Sequence, residues 1–338
     1  MPVGITTYGA VSPRVAAYAV AKMLKRAIPY LVIEKFGTAY PIPKHNTTTA
    51  KFRRYNALPL NTTPLVEGVT PDGTPLTVSD YTAQLVQYGD YVEISDVVMD
   101  TVDDPVMEQA TEVLSEQAAQ SMESMRWGIL VAGTNVQYAN GTSRSAVNQP
   151  VSLPLQRGVT RALARQNARH ITNIIKSTPD YGTQQVAASY VALCHPDVEN
   201  DIRNMTGYVP IERYGTLTPW ENEIGKVEQV RYLSSTIFAP FQSAGGAVST
   251  ASGSTTNMIS TNGTNADVYP ILYLGKDAYG IVPLKGMNSM EIMVVNPRPA
   301  QSDPLGQRGT AGWKTMQTCV ILNDAWMVRL EVAASALA

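Results

Sequence analysis

The chain has 338 residues and 36.6 kDa, with Lys+Arg 26 against Asp+Glu 28 and a formal net charge of −2. That length suits two or three folding units with a real core, and the near-neutral balance excludes a chain that coats nucleic acid. Charged residues at 16% and a mean hydropathy of −0.10 argue against a disordered acidic tail and against a membrane protein. Two cysteines, Cys194 and Cys319, cannot build a disulfide framework and fit a reducing compartment.

Residues 1–46 read as an arm. Ser12-Pro13 opens a helix, and Val20, Leu24, Ile28 and Leu31 give it one apolar stripe. Lys22, Lys25 and Arg26 decorate the rest, and the acidic surface of a neighbouring subunit is a more economical partner for them than DNA or a membrane. Residues 47–96 read as a long hairpin. Its runs, Thr47–Leu58 and Tyr81–Ser95, are rich in Thr, Tyr, Val and Ile, and Pro59–Asp80 forms a long tip. Lys51, Arg53 and Arg54 on the first run can meet Asp90 and Glu93 on the second. Such a hairpin needs a neighbour to bury its faces.

Residues 104–132 form the clearest helix, capped by Asp104, opened by Pro105 and ended by Gly133. Met107, Ala110, Leu114, Ala118, Met122, Met125, Ile129 and Ala132 make one stripe on a rod about 40 Å long. Glu108, Glu112 and Glu116 lie four apart on another face, which wants bases or water, and Arg126 suits the C-terminal dipole. A helix over 157–169, a strand over 188–194 and a His195-Pro196-Asp197 turn follow. Asp197, Glu199 and Asp201 then open a short helix. After a strand over 227–233, Ser243–Asn265 reads as a mobile surface loop. Strands over 268–274, 279–284, 290–295, 315–322 and 326–332 complete a mixed α+β chain, with Ser302–Gly309, including Arg308, as a loop between strands.

Chemistry is sparse. His45 reads as a solvated loop residue and His170 as a helix-end cation. Cys194 and His195 adjoin, yet neighbours at a strand end point in opposite directions, so a buried thiol beside a turn histidine is the simpler account. There is no Cys-x-x-Cys, no histidine pair at ligand spacing, no phosphate cradle and no nucleophile elbow. Lys51-Phe52-Arg53-Arg54-Tyr55 interleaves bases and aromatics, but without a wider basic surface it reads as a half-buried strand.

At residue level the chain resembles the tailed-bacteriophage major capsid proteins of the Hong Kong 97 type, and within them the coat-protein family typified by phage N-four. The resemblance is carried by Lys51–Tyr55, Pro64–Gly73, Gln87–Val98, Gly133–Val136, His195–Glu199, Gly275–Gly280, Ser302–Gly309 with Gly312–Lys314, and Asn323–Val332. It implies an N-terminal arm (1–46), an extended hairpin loop (47–96) and a peripheral domain (97–185) with a spine helix (104–132). An axial domain (186–285) and return strands of the peripheral domain (286–338) would follow.

It further implies hexamers and pentamers that close an icosahedral head around double-stranded DNA, assembled in the cytoplasm of a host bacterium. Expected partners are the chain itself, a portal, and scaffolding or decoration proteins, with neither membrane nor cofactor. The arm helix begins near Ser12, so a scaffolding region fused ahead of it is not expected. Lys51 lies at the hairpin base, so covalent cross-linking through a tip lysine is not carried over. The interface candidates are Lys22, Lys25 and Arg26 on the arm, and Lys51, Phe52, Arg53, Arg54, Tyr55, Asp90 and Glu93 on the hairpin. Glu108, Glu112 and Glu116 on the helix and Arg308 in its loop complete them. Two readings compete: a bacterial cargo compartment of the same fold (encapsulin-like), and, more remotely, a carboxylate-dependent hydrolase.

Overall fold

The computed structural model describes residues 31–43, 47–101, 106–172, 188–214, 219–248, 258–284, 291–299 and 303–336. The arm helix with Lys22, Lys25 and Arg26, the residue His45 and the Asp104-Pro105 cap lie outside them. The strands are β1 (Thr38–Ala39), β2 (Thr49–Tyr55), β3 (Val78–Gln84), β4 (Val86–Ser95), β5 (Val136–Tyr138), β6 (Tyr190–Cys194), β7 (Tyr208–Pro210), β8 (Glu223–Val227), β9 (Val230–Ser234), β10 (Tyr269–Leu274), β11 (Tyr279–Pro283), β12 (Glu291–Val295), β13 (Arg308–Ile321) and β14 (Met327–Val332). The helices are α1 (Asp96–Thr101), α2 (Val106–Val131), α3 (Leu153–Arg165) and α4 (Glu199–Arg203).

A seven-stranded sheet runs β5-β14-β10-β6-β9-β8-β7. Its central strands β6 and β10 are buried at every position. Continuous apolar runs of this kind belong to strands covered on both faces. One face packs Ala192, Tyr232 and Tyr273 against Val159 and Leu163 of α3 and Ile202 of α4. The other sets Val191, Leu193, Leu272 and Leu274 against Trp127 and Leu130 of α2 and Ile281 and Cys319 of a second sheet.

That second, five-stranded sheet is built on β13. β4 lies along one edge, while β12 and then β11 share the other, with β1 parallel to β11. The first half of α2 crosses it, packing Leu114, Ala118 and Met122 on Ala311 and Trp313. β2 and β3 form a separate two-stranded hairpin. Its root closes a small core of Ile42, Ala83, Leu85 and Val282.

Several expectations change. The second hairpin run is two strands, hinged at buried Leu85, whose N–H donates to the Thr48 carbonyl. β3 pairs with β2, and β4 leaves the hairpin to pair along β13. β13 starts at Arg308, inside the stretch read as a loop, because Gly309 and Gly312 hide its alternation. Sheet membership also crosses the 285/286 boundary. β11 pairs with β13, whereas β14 pairs with β10. α3 starts at Leu153, with Pro154 in its first turn, and stops at Arg165.

The Ser243–Asn265 segment is anchored at both flanks. Phe241 bridges Val268 and Ala247 bridges Asn265. Buried Asp267 accepts from the Ser243 and Thr261 N–H groups and from the Thr261 hydroxyl. Residues 249–257 lie outside the description.

Candidate assembly surfaces

The hairpin presents its charge through β2. The register sets Arg53 opposite Asp80 and Phe52 opposite Tyr81. Arg53 donates to both Asp80 oxygens at 2.9 and 3.2 Å, and Lys51 Nζ lies 2.8 Å from the same carboxylate. These hydrogen bonds, from Arg53 first and Lys51 second, hold the Asp80 carboxyl well below the usual carboxylate range. Arg54 and Tyr55 are exposed, while Phe52 is half-buried, its ring 4.9 Å from Tyr40 in an edge contact.

The expected partners Asp90 and Glu93 are not across the hairpin. They lie on β4, opposite Trp313 and Thr310. Asp90 accepts from Gln117 of α2 at 2.7 Å. Asp80 was the missed residue, having been counted into the tip. The available signal was the alternation of Tyr81 and Ala83, facing in, with Asp80, Thr82 and Gln84, facing out.

Beyond β2 and β3 the tip stands in solvent. Leu60 is 90% exposed, Leu65 75% and Val66 68%. On α2, Glu108 and Glu112 are exposed, and half-buried Glu116 accepts from Gln120. The predicted stripe holds through Leu114, Ala118 and Met122 and then rotates onto Glu123, Arg126, Trp127 and Leu130, all buried. Arg126 therefore points inward rather than serving the helix dipole. It donates to Glu34 at 3.1 Å and to Gln317 at 2.6 Å.

Glu123 accepts from the N–H groups of Val32 and Ile33 at 2.9 and 2.8 Å. Burial nonetheless pushes its carboxyl above the ordinary value. Tyr279 donates to the Ile33 carbonyl at 2.5 Å, and the Phe36 ring meets Trp220 edge-on at 4.9 Å. The described part of the arm is thus pinned to the body by buried polar groups. The i,i+3 spacing of Glu123 and Arg126 beside Trp127 was the clue to an inward-facing pair.

The remaining residues singled out by the sequence make local contacts. The Arg308 backbone N–H donates to Asp303 at 2.9 Å, and its guanidinium lies 3.9 Å from the same carboxylate. The Cys194 thiol is buried and donates to the Leu233 carbonyl. His195 Nδ1 turns instead to the Asp197 N–H at 3.2 Å. Burial pushes the Cys194 thiol up and the Cys319 thiol up to about 12. His170 lies beyond α3 and packs on the Tyr190 ring at 4.2 Å, so it caps no helix. Among the described residues, no group of three or more His, Cys, Asp or Glu could hold a metal ion.

Residues 79–227 match the family model described as phage capsid protein. No curated protein matches the sequence. Among solved structures, the capsid of Ralstonia phage GP4 aligns over 100% of both chains, with a TM-score of 0.65 and 12% identity. The capsid of cyanophage P-SCSP1u aligns over 95% of this chain and 93% of that one, with a TM-score of 0.61 and 16% identity. The capsid of cyanophage Pam1 aligns over 100% of both, with a TM-score of 0.60 and 13% identity. The fold is therefore the Hong Kong 97 type.

Proposed function

We infer that this chain, a phage capsid protein by its fold and by its family segment, is the major capsid protein of a tailed-phage head. The observation that carries the reading is a shape left unfinished. A hairpin with an apolar, solvent-exposed tip projects from a body whose own core is closed. Copies of the same chain complete such surfaces. In this reading the five-stranded sheet with α2 forms the peripheral domain, and the seven-stranded sheet with α3 and α4 forms the axial domain. Hexamers and pentamers close around double-stranded DNA in the host cytoplasm, joined by a portal and by scaffolding or decoration proteins. The near-neutral charge suits a container that holds its cargo loosely. The chain's role is mechanical, and the narrower likeness to the phage N-four coat proteins belongs to the same proposal.

The test is electron microscopy of the full chain, alone and co-expressed with the neighbouring head genes. Icosahedral shells or capsomer rings support the reading. A discrete monomer under both conditions overturns it. Shells loaded with a dedicated protein cargo, and never with DNA, would favour the cargo-compartment reading.

A further inference from the structure

We propose that the exposed face of α3, with the cleft at its C-terminal end, docks an acidic segment of a partner protein. The proposal goes beyond the shell reading above and does not require it.

α3 turns Gln156, Val159 and Leu163 into the core, which leaves Arg157, Arg161 and Arg165 in a row on its exposed side. Positions four apart lie about 6 Å from one another along a helix axis. The chain then turns at Asn167, whose φ is 53°. The turn brings exposed Arg169 beside exposed Lys276, whose N–H donates to the Arg169 carbonyl at 2.9 Å. Arg157 shows what such a cation takes: its Nε donates to the Glu228 carboxylate at 2.9 Å. Arg161, Arg165, Arg169 and Lys276 have no ion pair among the described residues.

Nor do the arginines cap the helix. The Leu163 and Ala164 carbonyls accept from N–H groups of the turn, and the Gln166 carbonyl accepts from Trp326 Nε1 at 3.0 Å. The acids that border the patch are engaged within the chain. Asp277 accepts from the Thr38 hydroxyl at 2.9 Å, and Asp324 from the Thr134 N–H at 3.0 Å. A chain of net charge −2 thus gathers four exposed cations with no counterion among the described residues.

Shape selects a polypeptide over a nucleic acid. Arg165 and Gln166 line a cleft of about 420 Å³, together with Asn135, Ala162, Asp324 and Ala325. Such a cleft takes a few residues of extended chain and excludes a duplex. Asp324 in its wall opposes a continuous row of phosphates, whereas a peptide sets carboxylates only where the bases stand. Exposed Gln166 carries an amide that can meet a peptide backbone. The rival occupant is the acidic ridge of α2 on a second copy. Glu116 of that ridge is held by Gln120, so it offers two exposed acids, Glu108 and Glu112, to four cations.

The probe is a short fluorescein-labelled peptide of alternating Glu and Gly. It is titrated into the full chain, unassembled and in particles, and read by fluorescence anisotropy. Arg161→Ser combined with Arg165→Ser should weaken binding about tenfold, and added salt should weaken it further. Arg157→Ser should leave the affinity unchanged, because Glu228 already holds that residue. Absence of binding, or an affinity indifferent to the double variant, overturns the proposal. Tighter binding of a DNA duplex of equal charge through the same two arginines also overturns it. Binding to the unassembled chain but not to particles assigns α3 to a contact between copies and overturns it as well. If no particles form, the shell reading falls, while binding by the unassembled chain that the double variant removes still supports the proposal.

Discussion

The seven-stranded sheet is completed within one chain, while only the root of the hairpin is, its tip being covered by none of the described residues. In the sheet, fully buried Glu331 accepts two bonds from Arg144, at 2.8 and 2.7 Å, and lies 2.9 Å from Arg329. Gln156 donates to the Val227 carbonyl and accepts from Tyr232, which in turn meets Tyr273 at 3.0 Å. Buried polar groups satisfied in this way fix a single packing. In the hairpin, β2 has no buried residue, and the tip exposes one leucine after another. A two-stranded ribbon of this kind is marginal alone in water. The body therefore stores stability, and the hairpin stores association.

Mutations in the body should report on folding. The largest effect is expected for Trp127→Ala. Trp127 is buried between α2 and the seven-stranded sheet and stacks on Phe238 at 4.3 Å. Its removal should cost about 3–5 kcal/mol, read as a lower denaturant midpoint of the unassembled subunit. Arg144→Met should cost about 2–4 kcal/mol, because Glu331 keeps only Arg329 as a charged partner and the 3.5 Å contact of the guanidinium with Phe241 is lost. A midpoint unchanged in either variant would contradict a self-sufficient body.

The same contrast explains what the residues alone disclosed. The spine helix, the hairpin and the buried strands were legible because each carries a strong local pattern: a 3.6-residue stripe, β-rich runs, continuous apolar runs. The break at Leu85 was not, since the same β-rich composition continues through β3 and β4 while the pairing partner changes. The burial of Arg126 was not legible because a charged residue near a helix end usually faces water, and it is the segment at Val32–Glu34 that supplies partners for Arg126 and for Glu123. The pairing of β14 with β10 was not legible because long-range pairing leaves no trace in local periodicity.

Mutations in the hairpin should spare folding and strike assembly. Arg53→Glu combined with Arg54→Glu reverses the exposed charge of β2 and sets an acid beside Asp80. The subunit should keep its circular dichroism and thermal midpoint, while shell yield by electron microscopy falls to about a tenth or less, because the weakened contact recurs throughout the shell. Normal shells would remove β2 from the interface.

The smallest effect concerns pH. The Asp80 carboxyl is held low, first by its hydrogen bond to Arg53 and then by that to Lys51. An acid depressed by folding adds stability above its unfolded value and loses it only as pH falls through its folded value. The β2–β3 clasp should therefore persist at pH 3, where an unfolded aspartate, at about 3.9, is largely protonated. Because the clasp is solvent-exposed, screening keeps its contribution small, and added salt should weaken it further. A carboxyl carbon NMR titration of the unassembled subunit reads this directly. An Asp80 midpoint near 4 would show that the clasp forms only against a neighbour, and would move β2 and β3 from the body's side of the contrast to the tip's.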